Sequence, residues 1–377
     1  MKLFKSLLVA PATLGLLAPM TATANELNLQ DVSGYSSSEE VQNISEFNPA
    51  EELAVTNSRV DGLEARFNNF EAGGFSDTTT ASFSVGAYLG AIDGDTNTEA
   101  TIFEYEYNIG LSTSFTGEDS LSVAIDSGSD SVATADDPFG IDTGSALSVD
   151  GVTYSFPLGG VSMIVGADTD LSASFTGACS YGAFTKYMSK CGTKNTIKKG
   201  TNGVTATGSY AFDSGFSLAG GLSSQSDSGN GILTKEGTDS YGIEAAYTAD
   251  SYGLSVAYIS DDNAGSAETS SWGINGTYSF DIANVSVGYE TQETSGTESN
   301  GYFVGLTFPE VGPGSVSVGA ATAGNFADGA TELMMYEASY SYSVNDGLSI
   351  TPGVFIEEKA AGTDDLTGIF VKSSFSF

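Results

Sequence analysis

From Thr78 to the end of the chain, apolar and polar residues alternate with a period of two. Trp272, Ile274, Gly276, Tyr278 and Phe280 interleave with Ser271, Gly273, Asn275, Thr277 and Ser279. Val285, Val287 and Tyr289 interleave with Ser286, Gly288 and Glu290. The runs Tyr302-Val304-Leu306-Phe308 and Tyr252-Leu254-Val256-Tyr258 repeat the pattern. Successive side chains of a strand point to opposite faces, so each run predicts a strand with one apolar and one small, polar face. Strands of ~10 residues built this way suit a wall with lipid on one side and water on the other. Tyr, Trp and Phe fall near many strand ends, where a membrane interface accepts rings with a polar tip.

The connections alternate in length. Short turns are predicted near Gly117-Glu118, Leu158-Gly159, Asp213-Ser214-Gly215, Ala249-Asp250, Asp281-Ile282, Gly312-Pro313 and Asn345-Asp346-Gly347. Long connections are predicted at 91–99, 127–144, 168–202, 225–238, 261–268, 293–298, 323–331 and 358–364. Seven short and eight long connections join about 16 strands. The predicted fold class is therefore all-β: a transmembrane antiparallel up-and-down β-barrel over 78–377, with both ends on the short-turn side. In the last predicted strand Ile369, Val371, Phe375 and Phe377 share one face, which suits a barrel seam.

The first 77 residues follow other rules. Lys2 and Lys5 precede an apolar run, Leu7 to Ala18, which is too short to span a bilayer and leads to Ala22-Thr23-Ala24. Residues 1–24 read as a cleaved secretory signal peptide; the competing reading is a membrane anchor. Residues 25–49 read as a linker. In 50–72, Leu53, Val60 and Phe67 recur every seven residues, as do Thr56, Leu63 and Phe70. This predicts a short helix, either amphipathic and packed on the barrel or a coiled coil.

Composition narrows the function classes. After residue 24 the chain keeps 10 basic and 48 acidic residues, because two of its 12 basic residues and none of its acids lie in the first 24. Nucleic-acid phosphates would be repelled. Disorder is excluded by 18 Tyr and 22 Phe in so acidic a chain. There is no histidine, so neither a Ser-His-Asp site nor a His-Glu-x-x-His metal site can form. No Gly-Lys pair occurs, which removes the phosphate-loop signature. Asp93, Asp95, Asn97 and Glu104 have the spacing of calcium-loop ligands, but Thr98 stands where that loop needs Gly and the flanks are strands. No enzyme activity, cofactor or metal site is expected.

Several segments together resemble cyanobacterial outer-membrane porins, which belong with the carbohydrate-selective (OprB-like) porins. They are Leu7-Leu8-Val9-Ala10-Pro11-Ala12, Glu26-Leu27-Asn28, Ser58-Arg59-Val60-Asp61-Gly62-Leu63-Glu64-Ala65-Arg66 and Phe75-Ser76-Asp77-Thr78-Thr79-Thr80. Thr113-Ser114-Phe115-Thr116-Gly117 and Tyr154-Ser155-Phe156-Pro157 add to them. The motifs cover roughly the first half of the chain; the second half agrees in pattern. The resemblance implies a homotrimer in the cell outer membrane, in contact with lipid and lipopolysaccharide, that passes sugars or inorganic ions, iron included. The chain departs from the family in one large way, and its barrel is also shorter than is usual there. A peptidoglycan-binding (SLH-type) domain usually precedes the helix, and Asp31 to Asn48 is far too short for one. Peptidoglycan anchoring is therefore doubtful.

The connection 168–202 concentrates the candidate chemistry. It carries Lys186, Lys190, Lys194, Lys198 and Lys199, half of the basic residues beyond residue 24. It also holds both cysteines, Cys179 and Cys191, and in an exported chain such a pair predicts a disulfide. If the segment folds into the lumen, the lysines line a constriction and favour anions. If it caps the barrel outside, they pair with acidic loops or anionic lipopolysaccharide. Glu104 and Glu106 alternate with Phe103, Tyr105 and Tyr107, and so face the lumen; Glu244 and Glu290 do likewise. They either oppose the lysines across the pore or are solvated wall residues. Three functional readings follow: a diffusion porin, a structural or adhesive barrel with a plugged lumen, and a secreted β-protein. Small inward residues favour an open lumen, and the irregular connection lengths disfavour a solenoid.

Overall fold

In the computed structural model the described residues are 79–94, 97–129, 138–141, 144–197, 203–225, 231–263 and 265–377. The predicted signal peptide, linker and helix lie outside them. The strands are β1 (Thr79–Gly94), β2 (Asn97–Thr113), β3 (Ser120–Gly128), β4 (Ser148–Leu158), β5 (Val161–Thr169) and β6 (Gly203–Ala211). They continue with β7 (Phe216–Gln225), β8 (Thr238–Thr248), β9 (Tyr252–Asp262), β10 (Thr269–Ser279), β11 (Asn284–Thr294) and β12 (Thr297–Val311). The last are β13 (Gly314–Thr322), the two-residue β14 (Phe326–Ala327), β15 (Met334–Asn345), β16 (Leu348–Glu357) and β17 (Leu366–Ser376). Each pairs antiparallel with its sequence neighbour, except that β13 pairs directly with β15 while β14 pairs with β12. β17 closes onto β1 from Ser84↔Ser376 to Asp93↔Thr367. Sixteen strands thus form a closed antiparallel barrel, as the alternation predicts. At ~3.3 Å per residue and a tilt near ~45°, an 11-residue strand rises about 25 Å, the height of a lipid-facing band.

The two faces are inverted relative to a water-soluble protein. Outward Phe103, Ile243, Trp272 and Val304 are 61%, 63%, 53% and 48% exposed, while inward Ser255, Ser271 and Asn275 are buried. Rings collect beside the short turns. Phe216 packs on Tyr247 (4.6 Å between centroids), Tyr247 on Tyr252 (5.7 Å), Tyr278 on Phe280 (4.6 Å) and Tyr210 on Phe212 (4.7 Å). This girdle matches the interfacial preference of aromatic side chains. At the seam Phe377 stacks on Phe83 and exchanges two backbone hydrogen bonds with it, at 2.9 and 3.0 Å.

All seven short turns fall where expected. In the first, between β2 and β3, Asp119 accepts from the N–H groups of Phe115 and Thr116 and from the hydroxyls of Ser114 and Tyr154. The Tyr154 hydrogen bond, followed by the Thr116 N–H, holds this carboxyl well below the usual carboxylate range. Two of the long connections are corrected. β1 and β2 stay paired to Gly94↔Asn97, and β11 and β12 to Thr294↔Thr297. The second pair closes through Ser295 and Gly296, both at positive φ (53° and 76°), the conformation of a tight hairpin turn.

Candidate functional site: a loop folded into the lumen

The connection between β5 and β6, the third on its side of the barrel, runs from Asp170 to Ile197 along the inward face of the wall. Asp170 opens it by accepting the Ser172 N–H at 2.8 Å, which caps a short 3₁₀ turn, Leu171–Ser174. A second 3₁₀ segment, Lys186–Gly192, is kinked at Lys190 and Cys191, both at φ 55°. Cys179 and Cys191 form the expected disulfide, with an S–S distance of 2.03 Å. It ties the outgoing limb of the loop to the returning one.

Four polar wall side chains on four strands hold these limbs. Glu244 on β8 accepts the Thr176 N–H at 2.6 Å, the Gly177 N–H at 2.7 Å and the Ser255 hydroxyl at 2.6 Å. Asn275 on β10 accepts the Ala178 N–H at 2.7 Å and donates to the Thr193 hydroxyl at 3.2 Å, so it touches both limbs. Glu290 on β11 accepts from the Asn195 N–H (2.8 Å), the Asn195 side-chain amide (2.7 Å) and the Thr196 hydroxyl (2.9 Å). Glu337 on β15 accepts the N–H groups of Phe184 (2.7 Å) and Thr185 (2.9 Å) and the hydroxyls of Tyr181 (2.9 Å) and Thr185 (2.6 Å). The three carboxylates are only 3%, 1% and 4% exposed in the same order. A buried carboxylate is tolerated when several donors converge on it, and hydrogen bonds to an ionised acceptor are the strong kind. Burial and the adjacent Glu337 charge push the Tyr181 hydroxyl far above its ordinary range, so it remains a donor.

Small wall residues make the seat. A Cβ at Gly288 would lie 1.9 Å from the Cys191 carbonyl oxygen, and one at Gly353 would lie 2.7 Å from the Phe184 ring. Cβ atoms at Gly305 and Gly319 would strike the Tyr181 ring. The inward glycines, which argue from sequence for an open lumen, thus also let the loop lie flat on the wall. Beside Glu337 the loop packs a dry cluster of Tyr181, Met188, Cys191, Phe303, Ala321 and Met335.

The predicted site residues separate into two groups. Lys186 and Lys190 are exposed on the loop, and Lys194 is half-buried. The Nζ atoms of Lys186 and Lys194 lie 5.9 and 5.1 Å from the centroid of one ring, Tyr187. Burial first, and the neighbouring Lys186 second, pull the Lys194 ammonium down to about 8. Lys198 and Lys199 lie outside the described residues. Glu104 and Glu106 lie on the same face of β2. Glu104 is buried, and Glu106 accepts the Tyr88 hydroxyl at 2.7 Å; Lys372 stands 5.2 Å over the Tyr88 ring. Glu244 and Glu290 face inward, yet they neither oppose the lysines across water nor stand solvated. The loop covers them, because its N–H groups need acceptors. Glu337 and Asn275, absent from the predicted site, share this role. Glu337 was detectable by the same parity that marks Glu244, since Tyr336, Ala338 and Tyr340 flank it.

A closed barrel that is apolar outside and polar within, with one long loop pinned across its inner wall, defines a membrane channel protein of the porin class. The chain belongs to the Gram-negative porin family, whose profile matches residues 138–354, more than half of its length. It is similar in fold to three solved porins. These are OprB of Pseudomonas putida (TM-score 0.62, 12% identity, 80% of this chain and 94% of that one) and a loop-deletion form of OmpT of Vibrio cholerae (0.57, 10%, 80% and 100%). The third is an anion-selective porin of Comamonas acidovorans (0.56, 13%, 80% and 99%). A curated relative from Nostoc sp. is 39% identical over 112 residues, which is 29% of this chain and 18% of that protein. The match thus spans less than a fifth of that relative.

Proposed function

We propose that this chain is an outer-membrane porin, a homotrimer set in lipid and lipopolysaccharide, through which small hydrophilic solutes diffuse passively. Sugars and inorganic ions, iron included, are the solute classes that its resemblance to carbohydrate-selective porins suggests. Lys186, Lys190 and Lys194 face the diffusing solute, and the disulfide holds the loop that carries them. The observation that carries the reading is the loop itself: it buries Glu244, Glu290 and Glu337 of an acidic wall and leaves Lys186 and Lys190 exposed. Covered, multiply hydrogen-bonded carboxylates act weakly on a passing ion, whereas exposed ammonium groups in a narrow lumen act strongly. A bias toward anions follows, and an anion-selective porin among its structural neighbours agrees with it.

The test is the reversal potential of the purified protein in a planar bilayer under a salt gradient. Neutralising Lys186, Lys190 and Lys194 together to Gln is expected to cut the anion-to-cation permeability ratio by about threefold or more; an unchanged ratio sinks the lysine reading. In the unaltered protein the ratio is expected to fall as pH rises through about 8. Lys194 is charged below that value and neutral above it. The second reading, a plugged barrel, draws support from the aromatic cluster inside the lumen around Phe139, Phe184, Phe355 and Phe370. A protein that inserts without conducting would favour it.

A further inference from the structure

The second external connection joins β3 to β4. Its residues 138–141 lie inside the barrel, against the stretch of wall that the lysine loop reaches midway, at Phe184, before it turns back. Phe139 stands at the centre of four other rings. Its centroid is 4.7 Å from Tyr88 on β1, 4.8 Å from Phe370 on β17, 6.4 Å from Phe355 on β16 and 5.5 Å from Phe184 of the lysine loop. Pro138 and Ile141 are buried beside it. Tyr88, Phe355 and Phe370 point inward, so this is a dry core built inside the lumen. Apolar burial and edge-to-face ring contacts both favour its formation.

The cluster grips one lysine. The Pro138 carbonyl accepts the Lys186 N–H at 2.8 Å. Gly140, at φ 72°, lies flat against the same side chain, where a Cβ would come within 3.2 Å of the Lys186 Cδ. On the other side Thr185, the residue before Lys186, is fixed by Glu337. Lys186 is thus held from two directions: by the wall through Thr185, and by the second loop through Pro138 and Gly140.

We infer that residues 138–141 are a working part of the constriction, with Phe139 as a positioning residue that anchors the segment holding Lys186 in the lumen. The inference rests on the proposed role of the lysines in ion passage. Its physical content is that removing the ring frees the 138–141 segment, and Lys186 then loses its fixed station without itself being changed.

The experiment compares reversal potentials of five folded channels: the unaltered protein, Lys186→Gln, Phe139→Ala, Phe139→Trp and the Phe139→Ala/Lys186→Gln double variant. Lys186→Gln is expected to lower the anion-to-cation permeability ratio roughly twofold, and Phe139→Ala by a similar factor. Phe139→Trp, which keeps a ring in the cluster, should retain most of the original ratio. The double variant should match Lys186→Gln, because the ring acts through that lysine. Where Phe139→Ala yields no folded channel, Phe139→Leu takes its place and should give an intermediate shift. If Lys186→Gln shifts the ratio while the Phe139 variants leave it unchanged, the positioning inference falls alone. Full additivity in the double variant overturns it as well. A Lys186→Gln channel with unaltered selectivity overturns both the lysine reading and the inference built on it.

Discussion

Replacing Glu337 with alanine will loosen the lumen loop and raise single-channel conductance, with larger open-state noise than in the unaltered protein. The carboxylate accepts from two backbone N–H groups and two hydroxyls, all in a buried setting. Each donor left without an acceptor costs about 1–3 kcal/mol, so losing all four exceeds the ~3 kcal/mol that a disulfide closing a short loop contributes. The segment 181–185 should therefore lift from the wall and exchange these donors to water. Serine at Cys179 should have a smaller effect, because Glu244, Asn275 and Glu290 still pin both limbs. Glu337→Gln should fall between the two: its amide oxygen still accepts, but its NH₂ faces donors. An increase of about twofold in mean conductance is expected for Glu337→Ala, since the loop takes up part of the lumen of a barrel otherwise wide enough for an aqueous channel. Conductance traces of the three variants, recorded in the same salt, provide the check; equal conductance in all of them would show that the loop does not set the aperture.

The second large effect concerns the outer wall. Arginine at Ile243 or Val304 should destabilise the folded barrel in lipid by about 2–4 kcal/mol, the cost of a cation near the bilayer midplane on a barrel surface. Both side chains point outward from the middle of long strands, 63% and 48% exposed. Arginine at Asn108, which shares the inward face of β2 with Glu104 and Glu106, should be close to neutral because water solvates it. Urea unfolding of the barrel in lipid vesicles measures the difference. A soluble protein with a dry interior would give the reverse order: exposed Ile243 would tolerate arginine and the interior would not.

The barrel was legible in the sequence because alternation and turn chemistry report the same strands independently. Tyr302-Val304-Leu306 marks an outward face, and Gly312-Pro313 marks the turn that ends its strand. The signal failed at the start of β12. Thr297, Glu298, Ser299 and Asn300 open β12 as four polar residues in a row, which carry no alternation, so the hairpin reads as a loop. The site was half legible. Clustered lysines and the cysteine pair stand out in so acidic a chain. The reason Glu244 and Glu290 are buried does not, because their loop partners lie on a distant segment and include backbone N–H groups, which any residue except proline supplies. Glu337 obeyed a visible rule. Phe139 did not: a single ring in a polar connection carries no periodicity, and its four ring partners come together only when the barrel closes.

The proposed channel depends on a water-filled lumen narrowed by the segment 170–197. Its most direct test is the single-channel conductance of the purified protein in a planar bilayer, before and after residues 172–196 are replaced by a short Gly-Ser link. The expected result is discrete conductance steps for the intact chain and distinctly larger steps for the shortened one. Absence of steps from both, or steps of the same size, would contradict it.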